Sequence, residues 1–291
     1  MAARAPMVAT AREARAPMAA TAREAFSEIY RSHTWQFGDS AVPLSGGGSS
    51  LEATNTTCAV LLHAVLMVAA RAKIKRVPHH VRILDLPCGD FTWMPQCLRD
   101  VASHAPPETP LRLVYRGVDV VGPLIEQLNS RAGDLIQVPA SHFEVPASVR
   151  ILPFVRADVS NATELSALRG QVDIIVSKHM LIHTPNSQIN DTLRAWETLG
   201  ATYLLRENTR TPSLRTLDIH MGGGHDVDLH GKQFNIGPPL CRDFDAGICA
   251  AQGKCQDSIE LYDMTSGFEH RKVGSPAERD AMLAKVPSCI V

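Results

Sequence analysis

Between residues 81 and 206 the chain alternates short apolar, β-branched runs with stretches of helical period. The strand-like runs are residues 81–86, 111–120, 151–157, 172–177 and 201–206. Between them the pattern predicts helices near 93–102, 121–132, 161–168 and 186–199. Strands that are apolar throughout have both faces covered, and helices between them imply parallel crossover connections. After Asn208 the alternation stops. A Gly/His/Asp-rich loop covers residues 211–232, and two further strand-like runs, 233–236 and 258–262, are expected to add antiparallel edge strands. The expected fold class is α/β: a Rossmann-like, doubly wound, mostly parallel sheet with an antiparallel edge strand.

Upstream, residues 51–73 read as one apolar helix, closed by Arg71, Lys73, Lys75 and Arg76 and stopped by Pro78. Cations suit the negative end of the helix dipole. The longest apolar run, residues 58–70, is interrupted by His63 and covers only thirteen positions. A membrane span needs about 20, so this helix is expected inside a protein core and no membrane partner is expected. Before it lies a polar stretch, residues 38–50, containing Ser45-Gly-Gly-Gly-Ser-Ser50. The start of the chain repeats itself: residues 5–15 return almost unchanged as 16–26. Two copies are too few for a solenoid. An Ala/Arg-rich start fits an organellar transit peptide or a duplicated, frayed helix, and Glu13 and Glu24 favour the second. The chain thus divides into an extension (1–25), a helical lid segment (26–80), a core (81–263) and a tail (264–291).

Composition narrows the classes. The 291 residues are 45% apolar and 20% charged, ordinary for a globular chain. Lys and Arg number 29 against 30 Asp and Glu, a net charge of -1. That lacks the basic footprint of a nucleic-acid binder, and no nucleic-acid partner is expected. Seven cysteines with no Cys-x-x-Cys pair argue against a disulfide framework or a zinc ribbon. They point to reducing, cytoplasmic surroundings, or to an organelle if residues 1–25 are a transit peptide. Cys241, Cys249 and Cys255 read as buried apolar residues. His220, His225, Asp226, Asp228 and His230 read as parts of a substrate-covering loop, with no metal site expected. No sequence feature bears on oligomeric state.

In doubly wound sheets ligands bind beyond the carboxyl ends of the strands. That rule selects the turn Ile83-Leu-Asp-Leu-Pro-Cys-Gly-Asp-Phe-Thr-Trp-Met94, then Asp119, Asp158 and the segment Val176-Ser-Lys-His179. A carboxylate at the second strand tip can accept both ribose hydroxyls of an adenosine, and one at the third can accept the adenine amino group. A dinucleotide site calls for several glycines beside the pyrophosphate. Here Gly89 stands alone between Asp85 and Asp90, a setting suited to a cationic, phosphate-free adenosyl ligand such as S-adenosyl-L-methionine. Asp90 also reads as a cap for the helix starting near Trp93.

These residues resemble the class I S-adenosylmethionine-dependent methyltransferases, and more narrowly a branch whose first motif reads LD-x-PCGDF-x-WM. Asp85, Pro87, Cys88, Gly89, Asp90, Phe91, Trp93 and Met94 match it. Further echoes are Phe26 to Tyr30, Trp35, Tyr115 to Asp119, Leu181 to His183 and Tyr203 to Leu205, so the likeness spans residues 26–263. It implies the class I methyltransferase fold, with an antiparallel seventh strand. It also implies cofactor contacts from Asp85, Pro87, Cys88, Gly89, Asp90, Trp93, Asp119, Val120, Asp158, Val159 and Ser177. The chain departs from the branch at the fourth strand, which ends Ser177-Lys-His where Cys-Arg-Asp is expected.

The expected function is methyl transfer from S-adenosyl-L-methionine to a small-molecule acceptor. Lys178, His179 and His183 follow the fourth strand and are the candidate catalytic residues. His179 is the leading candidate base, with His183 one helical turn beyond it if a helix has begun. Two other readings suit the same fold: a cofactor-binding regulatory or scaffold protein, and a nicotinamide-dependent oxidoreductase.

Overall fold

The computed structural model describes residues 21–75, 80–104, 111–131, 148–209, 218–231, 233–244, 257–265, 267 and 276–289. The central strand, β1 (His80–Asp85), runs parallel to β2 (Arg112–Asp119) on one side and to β5 (Ile174–Ser177) on the other. Beyond β2 lie β3 (Ser148–Ile151) and β4 (Val155–Arg156), both parallel to it. Beyond β5 lies β6 (Tyr203–Thr209), also parallel. Two antiparallel strands finish that edge, β8 (Asp257–Asp263) against β6, and β7 (Cys241–Phe244) against β8. The order β3-β2-β1-β5-β6-β8-β7 is a mostly parallel, doubly wound sheet with an antiparallel hairpin, as expected. Strand order reverses between β1 and β5, which puts the ligand crevice at their carboxyl ends.

Each face of the sheet has its own core. On one, α2 (Leu51–Lys75), α3 (Met94–Ser103) and α4 (Gly122–Arg131) cover Ile83, Tyr115, Val176 and Leu205. On the other, α5 (Asn186–Glu197) lays Ile189, Leu193 and Trp196 against Leu84, Ile175 and Leu204. Helix α2 is long and apolar enough to cross a membrane by length and composition. In the fold it lies across the sheet with Val60, Leu61, Ala64, Val65 and Val68 buried. Helix α1 (Ala22–Arg31) starts inside the second copy of the repeat, with Thr21 capping it by accepting from the Glu24 amide at 3.2 Å. The rest of the repeat lies outside the described residues. A last helix, α6 (Pro276–Leu283), precedes the end of the chain.

Four expectations need correction. The third strand is split, because Pro153 has no N–H to give the ladder. Ile151 pairs with Tyr115 but Val155 with Val118, so one residue is extra, and Asn129 of α4 bridges the gap through both the N–H and the carbonyl of Phe154. The helix expected at 161–168 shrinks to a 3-10 turn at Ser166–Leu168, the Asn161 side chain having taken the amides of Thr163 and Glu164. Residues 233–236 form no strand. Phe234 and Ile236 are buried, but Ile236 donates to Leu229 O within the same loop, and β7 takes the edge position instead. Finally, two disulfides, Cys58–Cys97 and Cys241–Cys289, replace the expected free thiols. Their partners are 39 and 48 residues apart, spacings that match no motif, and Cys241 is paired rather than an isolated apolar residue. Cys249 and Cys255 lie outside the described residues.

Candidate active site

The turn after β1 builds the floor of a cavity that is partly open to solvent. It is stitched to both neighbouring strands, Leu86 donating to Val176 O at 2.8 Å and Cys88 to Val118 O at 2.9 Å. Gly89 sits at φ +54°, a left-handed position that favours glycine. Its N–H donates to Asp119 Oδ2 at 3.2 Å. A Cβ there would come within 2.7 Å of Ser45 Oγ and 3.2 Å of the Tyr30 hydroxyl, so the upstream segment closes directly over this glycine.

Two carboxylates at adjacent strand tips are sealed from solvent. Asp85 is 2% exposed and Asp119 4% exposed. Burial pushes Asp85 up to about 8, with the Tyr115 hydroxyl, donating at 2.8 Å, opposing and the Asp119 charge adding. Burial likewise pushes Asp119 up to about 6, against bonds from the amides of Val121, Gly89 and Val120. Asp158 lines the cavity from the turn after β4, where one of its oxygens accepts from both the amide and the hydroxyl of Ser160.

At the other end Lys178 and His179 leave β5 in a tight turn, with His179 at φ +56°. A short 3-10 turn, Leu181–His183, follows rather than an α-helix, yet it still brings His183 to the same cavity. His179 Nε2 lies 2.5 Å from Glu207 Oε2 and 3.3 Å from Lys178 Nζ. Glu207, on β6, is buried, which alone would raise its carboxyl. The charges of His179 and Lys178 outweigh that and hold it at about 2. The other edge of the His179 ring rests on Gly48, where a Cβ would fall 2.0 Å from Cε1. His183 stacks on Trp35 with ring centroids 4.6 Å apart, and its Nδ1 is 2.5 Å from Gly223 O.

No family model matches the chain, and no curated protein matches it. Solved structures do. The chain is similar in structure to S-adenosylmethionine-dependent methyltransferases. A 1,6-didemethyltoxoflavin-N1-methyltransferase of Burkholderia thailandensis, with bound S-adenosylhomocysteine, aligns over 85% of this chain and 92% of its own at 15% identity and TM-score 0.45. Magnesium protoporphyrin IX methyltransferase from Synechocystis, with bound S-adenosylmethionine, aligns over 84% and 98% at 12% identity and TM-score 0.43. A methyltransferase from Methanosarcina mazei aligns over 65% and 94% at 12% identity and TM-score 0.40.

Of the residues expected from the sequence, Asp85, Pro87, Cys88, Gly89, Trp93, Asp119, Val120, Asp158, Val159, Lys178, His179 and His183 all line this cavity. Asp90 and Ser177 do not. Asp90 instead holds the upstream segment, accepting from the Ser45 amide at 3.2 Å while its own amide donates to Ser45 Oγ at 3.0 Å. Nor does it cap α3, whose N-cap position is Trp93 with no side-chain bond. Ser177 is buried in the ladder opposite Arg206.

Sequence reasoning placed Phe26, Tyr30 and Trp35 in the segment expected to close over the site, and all three line the cavity. It missed Met180, Met221 and Glu207. The histidine loop has a holding role that its composition hid. His225 Nε2 meets Thr184 O at 3.0 Å, and the Gly222 amide donates to His183 O. His230 is buried against Glu260, which also accepts from the Tyr262 hydroxyl. Burial works to lower His230, and the Glu260 charge more than offsets it, leaving it raised.

Proposed function

We propose that the chain is an S-adenosylmethionine-dependent methyltransferase acting on a small molecule, of the branch marked by the LD-x-PCGDF-x-WM motif. One observation carries the reading. Asp85 and Asp119 are both buried at one cavity, no cation among the described residues offsets them, and both are raised above the usual carboxylate range. Such a pair suits a ligand that brings positive charge and hydroxyl donors together. The same cavity is lined by a single glycine of the turn, Gly89, where a pyrophosphate calls for several, and by a third acid, Asp158, one strand further on.

The residues fit the cofactor in this order. Asp119 accepts the ribose hydroxyls, Asp158 with Val120 and Val159 takes the adenine, and the turn from Asp85 to Gly89 takes the amino-acid end. When bound, the cofactor supplies a methyl carbon made electrophilic by its sulfonium. The chain contributes position and dryness. Tyr30, Ser45 and Trp35 cover the cavity, and the segment after β5 presents the acceptor within about 3–3.5 Å of the reacting carbon.

Calorimetric titration of the full chain with S-adenosylmethionine and with nicotinamide dinucleotides tests the reading. We expect one site for the first and none for the second. Binding of the nicotinamide cofactor alone would reverse the assignment.

A further inference from the structure

We propose a second ligand site, for a small aliphatic carboxylate, in a cavity under the crossover from β4 to β5, with Arg116 as the residue that holds the carboxylate. The proposal goes beyond the methyltransferase reading and does not depend on it.

The cavity follows from how the chain crosses the sheet. A doubly wound fold lays a helix over the sheet at a typical crossover between parallel strands. Between β4 and β5 the chain makes turns and the short 3-10 turn Ser166–Leu168 instead, with no α-helix. A cavity is left on the sheet face opposite Leu113 and Tyr115. Its apolar walls are Leu84, Val114, Leu152, Leu168 and Val172. It shares no lining residue with the cavity beyond the carboxyl ends of the strands.

Two arginines also line it, and they differ. Arg82 is fully engaged. Its Nε and Nη2 donate to the two oxygens of Asp173 at 3.0 and 2.9 Å, and its Nη1 donates to Gly170 O at 2.7 Å. The Arg116 side chain has no ion pair or hydrogen bond among the described residues, and its Nε is buried. A buried N–H without an acceptor is costly and rare, so this one calls for an acceptor from outside the chain. Two more arginines strengthen the positive field on this face. Side chains alternate along a strand, so Arg112 stands on the same face of β2 as Val114 and Arg116. Arg150 of β3 is in register with Val114, and both Arg112 and Arg150 are exposed.

This arrangement selects the ligand. The planar guanidinium offers Nε and a neighbouring Nη side by side, a fork that matches the two oxygens of a carboxylate. One unpaired cation at the wall matches one negative charge. The apolar walls suit a short hydrocarbon body, which gains by leaving water. An alcohol of the same size would leave Arg116 without its countercharge, and a phosphate would bring no apolar body.

The probe is hexanoate, with hexanol and inorganic phosphate standing for its two halves, each titrated into the full chain and followed by ligand-observed NMR. Hexanoate should saturate one site with a Kd of about 1 mM or below. Hexanol should bind at least about tenfold more weakly, and phosphate should not displace hexanoate. Arg116→Gln should weaken hexanoate binding at least about tenfold, and Arg116→Lys, which keeps the charge and loses the fork, should fall between. Val114→Phe and Leu152→Phe fill the cavity from opposite walls, and whichever keeps the parent's near-UV circular dichroism should lose the binding with Arg116 intact. Saturating S-adenosylhomocysteine should leave hexanoate binding unchanged. Absence of saturable hexanoate binding would overturn the proposal. So would equal binding of hexanol, displacement by phosphate or by S-adenosylhomocysteine, or parental affinity in Arg116→Gln.

Discussion

Asp119 and Asp158 are assigned different parts in the proposed site, and substitution separates them. Asp119, the proposed ribose acceptor, has both oxygens already oriented by the amides of Gly89 and Val121. Asp119→Ala should weaken S-adenosylmethionine binding at least tenfold, about 1.4 kcal/mol, by calorimetry. Asp158→Ala should cost less, since Ser160 already occupies one oxygen of that side chain. An unchanged affinity in folded Asp119→Ala would remove that residue from the site. These acids were legible in the sequence because they recur at successive strand ends, a position the fold itself makes functional. Glu207 was not legible. It sits within a strand buried along its whole length, and no motif separates a carboxylate that pairs with a histidine from one that faces a helix. Asp90 was misplaced for a similar reason, because a turn acid can reach the ligand, the helix or the lid, and only the folded position of Ser45 decides.

At the scale of elements, the segment from α1 to the start of α2, the proposed cover, makes its close approaches at glycines. Tyr30 and Ser45 rest on Gly89, and Gly48 rests on His179. Gly48→Val would push a side chain into the His179 ring, so it should raise the KM for acceptor and speed cofactor dissociation. Its melting temperature should change little, since the sheet and both cores are untouched. Stopped-flow release of S-adenosylhomocysteine measures this, and an unaltered release rate would count against the cover. The alternation of strands and helices was legible at this scale because apolar continuity and period report burial directly. Breaks were less so. The split third strand turns on Pro153 and Asn129, residues far apart in the sequence pattern and adjacent only after folding.

For the whole molecule, the two disulfides tie α2 to α3 and β7 to the tail across loops of 39 and 48 residues. Crosslinks of that span typically contribute about 2–4 kcal/mol. Reduction should therefore lower the denaturation midpoint clearly, and non-reducing mass spectrometry should find both pairs. The buried acids set a second trend. Asp85 and Asp119 stand at about 8 and 6 in the folded chain, above their ordinary 3.8. Their contribution to stability is full below the unfolded value and is lost as pH rises through 6 and then 8. The ligand-free protein should accordingly lose melting temperature across that window, and Asp85→Asn should flatten the slope.

A cationic ligand reverses this trend, because it favours the ionised acids and drives off their protons. The most direct measurement is calorimetric titration of the full chain with S-adenosylmethionine at about pH 6 and about pH 8, in buffers of different ionisation enthalpy. The account predicts one site, tighter at the higher pH, with net proton release on binding at the lower. Absence of binding, or affinity that falls as pH rises, would contradict it.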